Sequence, residues 1–245
     1  MSKKSDFFSS LKAELLNSCQ KCDHEGWTKL GPSLYDSTSP CDCLNRFKSY
    51  VEMDSAGINR EYWDLDWKDW RGDQLVQSCV QDYILNLENA YKNGLGLVLH
   101  GGNGVGKTFL STQILKAAIA KNYSTRFITM AEITALMRSK IDSVDDNDIY
   151  ERCVKNSEFL CIDNAGSEYR PSGNYAPAEF DILARHRRRN LFPTIISTNL
   201  SHEEFVQIYG PSISSLFSAS SKFINVLGSD FRLEQGNSFD RLLKS

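Results

Sequence analysis

The run Gly101-Gly102-Asn103-Gly104-Val105-Gly106-Lys107-Thr108 places four glycines, an ammonium and a hydroxyl within eight residues. It fits the pattern G-x-x-x-x-G-K-[ST], and each residue type in it has a chemical reason. Glycines let the backbone curl until several N–H groups face one point, where they can cradle phosphate oxygens. A helix starting near Lys107 adds its positive N-terminal end. The Lys107 ammonium can reach the β and γ phosphates of a nucleotide, and the Thr108 hydroxyl can ligate Mg2+. The stretch predicted to touch the nucleotide is therefore Gly102, Asn103, Gly104, Val105, Gly106, Lys107, Thr108 and Phe109. Average residue frequencies put a chance match in a chain of 245 residues at roughly one in a hundred.

A magnesium-chelated phosphate needs a carboxylate nearby. The run EFLCIDNAG supplies Asp163 at the end of an apolar stretch, the best placed Mg2+ carboxylate in the chain. The run TIISTNL ends a further apolar stretch on Asn199. An amide there can orient an attacking water or sense the γ-phosphate, although an asparagine alone also suits a plain turn.

The elements that must position these groups read as α/β from residue 94 onward. Strands are predicted over 96–100, 125–130, 158–162, 194–198 and 223–227, with helices over 107–121, 131–141, 146–156, 176–190 and 202–209. The middle strands are short and apolar, as buried parallel strands are. Ser201 and Glu204 have the spacing of a capping box. Upstream, 5–17 and 74–92 read as helices. Three zones follow: a cysteine-bearing, turn-rich module over 1–50, a linker and helix over 51–93, and a nucleotide-binding domain over 94–245.

Cys19, Cys22, Cys41 and Cys43 form two close pairs, C-x2-C-x18-C-x-C. Two pairs separated by a loop can wrap a tetrahedral Zn2+ with four thiolates. Gly26, Gly31 and Pro32 between them suit a knuckle turn, and His24 is a substitute ligand that four sulfurs make unnecessary. A segment this short has little core of its own, so a metal would account for its folding. Cys79, Cys153 and Cys161 read as ordinary core or helix cysteines. Phe7, Phe8, Leu11, Leu15 and Leu16 form an apolar helix face, which either docks on a partner or packs on the cysteine module.

Bulk properties narrow the class. Apolar residues make up 41% and charged residues 24%, ordinary for a globular protein. A net charge of −3 argues against binding nucleic acid by bulk attraction, so any such contact needs a local patch. No stretch approaches the roughly 18 apolar residues of a membrane span, and the N-terminus lacks the apolar core of a secretory signal. A cytoplasmic, reducing location is the expectation, with cysteines serving as metal ligands or buried apolar groups.

Taken together, the glycine loop, CIDNAG, PTIISTNLS, the late GSDFR and the upstream SAGINREYWDL resemble the AAA+ ATPases of the DnaC/DnaI helicase-loader and IstB group. The resemblance covers most of the chain. It implies ATP as the nucleotide and a parallel five-stranded sheet, with the Asn199 strand between the strands leading to Lys107 and Asp163. It also implies Arg232 as a second sensor of the γ-phosphate. In loaders of the DnaI type a cysteine-bearing N-terminal domain contacts the replicative helicase, which by resemblance assigns 1–50 to that task. A compact, divergent member of this kind is compatible with a phage or mobile-element origin.

The sequence departs from the family in two places. The residue after the Asp163 carboxylate is usually acidic, and here it is Asn164, which cannot take up a proton as a carboxylate does. The segment after IYG usually carries arginines, one of which reaches a neighbouring subunit's γ-phosphate. Here Ser212 and Leu216 stand at those places. An arginine finger can contribute orders of magnitude in rate, so a slow ATPase is expected. Glu168 is a candidate replacement for the acid, and Lys222 or Arg187 for the finger.

Arg185, His186, Arg187, Arg188 and Arg189 form the dense basic run of the chain. They either complement a helix C-terminus or, through Arg187, Arg188 and Arg189, meet single-stranded DNA phosphates. Trp63, Trp67 and Trp70 are expected to pack the linker onto the ATPase domain rather than stack bases, and the acidic run 142–151 to be solvated. The whole reads as a weakly hydrolysing, ATP-dependent loader of a hexameric, DnaB-like helicase onto single-stranded DNA. Such a loader would assemble on its helicase and need no membrane. The rivals are an IstB-like transposition helper and an adaptor that binds ATP without hydrolysing it.

Overall fold

The computed structural model describes residues 3–22, 24–29, 38–166 and 175–231. The chain divides into two compact units, Met1–Ser55 and Ala56–Ser245.

In the first unit, helix α1 (Lys3–Asn17) and helix α2 (Asp42–Ser55) flank a small hairpin. The hairpin pairs β1 (Trp27–Lys29) antiparallel with β2 (Thr38–Pro40). The apolar face of α1 packs inside its own unit: the Phe8 ring meets Phe47 of α2 edge-on at 6.3 Å. Lys12 lies over that same ring, and Lys4 pairs with Asp54. Helix α2 has no counterpart in the sequence reading, because the cysteines and glycines of 1–50 suit turns. Its periodicity is nonetheless helical, with Cys43, Tyr50 and Met53 buried.

In the second unit, short 3-10 turns at Arg60–Tyr62 and Trp67–Asp69 precede helices α3 (Gln74–Leu85) and α4 (Leu87–Asn93). The single helix expected over 74–92 breaks at Asn86, which leaves the helical region at ψ 22° while its side chain donates to the Asp82 carbonyl. Gly94, at φ 61°, ends α4 in the left-handed conformation that glycine accepts without a Cβ penalty.

The main sheet comprises β3 (Gly96–His100), β4 (Thr125–Thr129), β5 (Phe159–Ala165), β6 (Thr194–Thr198) and β7 (Ser221–Asn225). Their order is β4-β5-β6-β3-β7, and every pairing is parallel. Helices α5 (Lys107–Ala120), α6 (Met130–Ser139), α7 (Val144–Ile149), α8 (Tyr175–Arg189), α9 (His202–Tyr209) and α10 (Pro211–Ser220) cover it. This is the α/β P-loop architecture expected, with the Asn199 strand between the other two.

The strands of the middle are sealed on both faces. Val98, Leu99, Leu160, Ile162, Ile195 and Ile196 have no accessible surface. Each such side chain contributes about 1.5–3 kcal/mol relative to exposure. Helix α5 is buried nearly all round. The outer edge of β4 is closed where the Phe127 N–H donates to the Ala56 carbonyl.

Several boundaries and one element differ from expectation, and strand β5 runs to Ala165, three residues past the 162 expected, so that Asp163 lies within it. The helix foreseen over 146–156 is α7 followed by a π-helical stretch, Tyr150–Lys155. Strand β7 starts two residues earlier than the 223 foreseen, at Ser221. Helix α10 was not foreseen, because its serines are weak helix formers. Tertiary burial of Ile213, Ser214, Phe217 and Ser220 holds it. Among the described residues no helix is long and apolar enough to cross a membrane.

Candidate nucleotide site and cysteine cluster

Strand β3 delivers the glycine loop and α5 begins on Lys107, so the loop joins a buried strand to a helix N-terminus. Gly104 and Gly106 take φ 68° and 96°, conformations that side chains avoid. Their missing Cβ atoms also make room: one at Gly104 would fall on the Asp230 carboxylate, and one at Gly106 on the Trp70 ring. Val105 and Phe109 are buried and pin the loop from below. Trp70 stacks on Phe109 at 5.6 Å and Trp67 meets it edge-on at 6.0 Å. Trp63 is buried, its indole N–H donating to the Ile58 carbonyl. Trp67 and Trp70 thus pack the linker onto the ATPase domain at Phe109, as expected.

Lys107 is only 7% exposed. Its Nζ donates to the carbonyl oxygens of Gly101 and Gly102 at 2.9 and 2.5 Å and to Asn199 Oδ1 at 2.7 Å. The other end of the Asn199 amide donates to Asn103 Oδ1 at 2.8 Å. Thr108 Oγ1 lies 3.2 Å from the nearer carboxylate oxygen of Asp163, itself 5% exposed. Lys107, Thr108, Asp163 and Asn199 are therefore gathered at the ends of three adjoining strands. The loop amides and ammonium can bind phosphate, and the Thr108 hydroxyl with the Asp163 carboxylate can ligate a divalent cation.

Two further groups belong to this site that the motif reading missed. Ser197, fully buried on β6, donates its hydroxyl to Asp163 Oδ1. The segment after β7 closes over the loop: the Phe231 N–H donates to the Gly104 carbonyl at 3.1 Å, and the Phe231 ring meets Trp70 edge-on at 6.5 Å. Asn164, beside Asp163, is exposed and sits at φ 55°. Arg232 and Glu168 lie outside the described residues.

The basic run requires a correction. Arg187 is 1% exposed and cannot reach DNA phosphates or a neighbouring subunit. Its Nε donates to Thr194 Oγ1, its Nη1 to the carbonyls of Val154 and Ser157, and its Nη2 to that of Pro193. It is a buried clamp tying α8 to the strand ends. Arg188 is half-buried, with Nη1 on the Asn93 carbonyl, and Arg189 is exposed. Arg185 bonds Asp181 and reaches Ser212 Oγ at 2.6 Å. Leu216 packs on the core, and Lys222 Nζ donates to Cys79 Sγ at 2.9 Å.

In the first unit, Cys19, Cys22, Cys41 and Cys43 bring all four sulfurs within 4.8 Å of one another. The Cys19–Cys41 and Cys22–Cys43 sulfurs are 3.6 Å apart. A tetrahedral Zn2+ with bonds of about 2.3 Å sets its sulfurs roughly 3.8 Å apart, so the cluster has the dimensions for one ion. The Gly26 N–H donates to Cys22 Sγ, orienting that ligand. The backbone N–H of Lys21 draws the Cys19 thiol down to about 7, whereas burial pushes Cys43 up to about 12. His24 is engaged elsewhere, with Nδ1 on the Leu16 carbonyl at 2.7 Å.

The sequence profile of the IstB-like ATP binding proteins matches residues 46–219. The replicative helicase loader DnaI of Bacillus subtilis (strain 168) is 31% identical over 127 residues, spanning 51% of this chain and 39% of that protein. The aligned part thus spans about two fifths of the length of this relative. A crystal structure of the DnaC helicase loader shares the fold at a TM-score of 0.59 and 24% identity, covering 69% of this chain and 100% of the other. A DnaI crystal structure does so at 0.53 and 21%, covering 69% and 88%. The replication initiator DnaA bound to AMPPCP and single-stranded DNA matches at 0.53 and 15%, covering 65% and 47%.

Proposed function

Since the chain belongs to the IstB-like ATP-binding protein family, we propose that it binds ATP with Mg2+ at the glycine loop and serves as a loader of a replicative DNA helicase. The observation that carries the nucleotide half is the convergence of Lys107, Asn199, Thr108 and Asp163 on one end of the sheet. The loader half is supported by the 31% identity to DnaI.

In this reading Lys107 and the amides from Gly102 to Thr108 bind the phosphates, and Thr108 with Asp163 holds Mg2+. Asn199 senses the γ-phosphate, and Arg232 enters as the second sensor on the strength of the resemblance alone. The cysteine unit takes one Zn2+ and docks on a hexameric, DnaB-like helicase in the cytoplasm. ATP-loaded copies assemble there and hold the ring open for single-stranded DNA. Arg189 and Arg188 are the members of the basic run left to meet its phosphates.

Hydrolysis is slow in this reading, because Asn164 cannot serve as a general base. That same residue favours a second reading, an adaptor for which ATP binding alone is the signal.

Calorimetry with ATP and Mg2+, followed by co-purification with a hexameric helicase, tests the proposal. Micromolar uptake and a stable ATP-dependent complex are expected. Absence of nucleotide uptake would falsify it. Capture of duplex DNA and a transposase in place of the helicase would move the chain to the transposition helpers. A complex that forms with ATP but shows no turnover, even with helicase and single-stranded DNA, selects the adaptor.

A further inference from the structure

Strands β5 and β6 do not stay in step. Ile162 faces Ile196 and Ala165 faces Thr198, so Asp163 and Asn164 together stand opposite the single residue Ser197. This is a β-bulge, a device that re-aims a side chain. Ser197 has no accessible surface. Its hydroxyl accepts from the Asn164 N–H at 3.3 Å and donates to Asp163 Oδ1. Because the backbone amide supplies one proton, the hydroxyl's own proton is directed at the carboxylate.

We propose that Ser197 is a positioning residue that aims the Asp163 carboxylate at the divalent cation. The inference rests on the ATP–Mg2+ reading of the site. Thr108 Oγ1 is a second side chain that bonds Asp163. Metal ligation uses a lone pair of the Thr108 hydroxyl and leaves its proton free for Asp163, so Thr108 and Ser197 together hold the carboxylate from two sides, with Ser197 on the side away from the cation's hydroxyl ligand. The bulge also fixes Asn164 at φ 55°, which places its side chain out of the strand's regular alternation. Ser197 is thus the point where two strands agree on where the carboxylate points. Partners that orient a metal ligand typically change metal affinity by about 10- to 100-fold when removed.

The test compares ATP affinity in Mg2+ with ATP affinity in EDTA for the wild type, S197A and S197T. In the wild type, Mg2+ should tighten ATP binding. S197A should lose about 10-fold or more of that increment, with its EDTA affinity unchanged, while S197T, which keeps the hydroxyl, restores it. Should S197A fail to fold, S197C carries the same comparison, since a thiol is a weak donor. A full Mg2+ increment in S197A overturns the proposal, as does equal weakening in both buffers, the mark of a purely structural residue. A wild type that takes up no ATP in either buffer fails the function proposal itself and is told apart from both results.

Discussion

The Asn199 amide oxygen holds the Lys107 ammonium at 2.7 Å, joining the end of β6 to the start of α5. The pair closes the loop from above, because the same amide also grips Asn103. Removing either partner should act differently on binding and on turnover.

Lys107→Ala should weaken ATP binding by about 100-fold, the equivalent of one strong charged hydrogen bond. Asn199→Ala should leave ATP affinity within about threefold but lower turnover by about tenfold, as expected of a group that acts after binding. Calorimetry and a phosphate-release assay separate the two. Equal effects of both substitutions on affinity would contradict the division of roles.

Asn164→Asp should raise hydrolysis by about tenfold or more, since a positioned general base contributes that much or greater. Aspartate tolerates the left-handed backbone at φ 55° nearly as well as asparagine. Asn164→Glu should gain less, because a longer side chain at positive φ adds strain of about 1–3 kcal/mol. Single-turnover hydrolysis of both variants measures the order, and unchanged rates in both would count against a missing base.

Arg187→Met should lower unfolding free energy by about 3 kcal/mol or more, since it strands buried carbonyls of Val154, Ser157 and Pro193. Arg189→Met, at an exposed position, should stay within about 0.5 kcal/mol. Urea titration of the two variants reads the difference directly. A DNA-binding defect in an Arg187 variant should therefore track its loss of fold.

Zinc analysis should find about one equivalent per chain, released by a strong chelator or by Cys22→Ser with Cys43→Ser. Metal loss should melt the hairpin end of the first unit, where Cys22, Cys41 and Cys43 form a buried cluster. ATP uptake by the second unit should persist. Loss of helicase capture with ATP binding intact would assign the docking surface to the cysteine unit, and capture that survives would move it elsewhere.

The chemistry-bearing groups were legible because each sits where a strand or loop ends, and such ends announce themselves in sequence. Asp163 and Asn199 follow short apolar runs and Lys107 closes a glycine loop, and β3, β6 and α9 lie where periodicity put them. Arg187 reads as surface charge in sequence because it is one of four arginines in five residues. A signal was present, since Phe180, Leu183, Ala184 and Arg187 share one buried face of α8. Ser197 left no such trace, because a bulge arises from two strands and belongs to neither alone. Helix α10 was likewise written in tertiary burial rather than in propensity.

The indole of Trp70, wedged between Gly106, Phe109 and Phe231, gives the molecule an optical gauge of its own loop. Buried Trp63 and half-exposed Trp27, which lies in the first unit, add background. Occupancy of the loop should therefore be readable as a shift in emission without any attached dye, and Trp70→Phe should remove the larger part of it, leaving the share of Trp67 on Phe109.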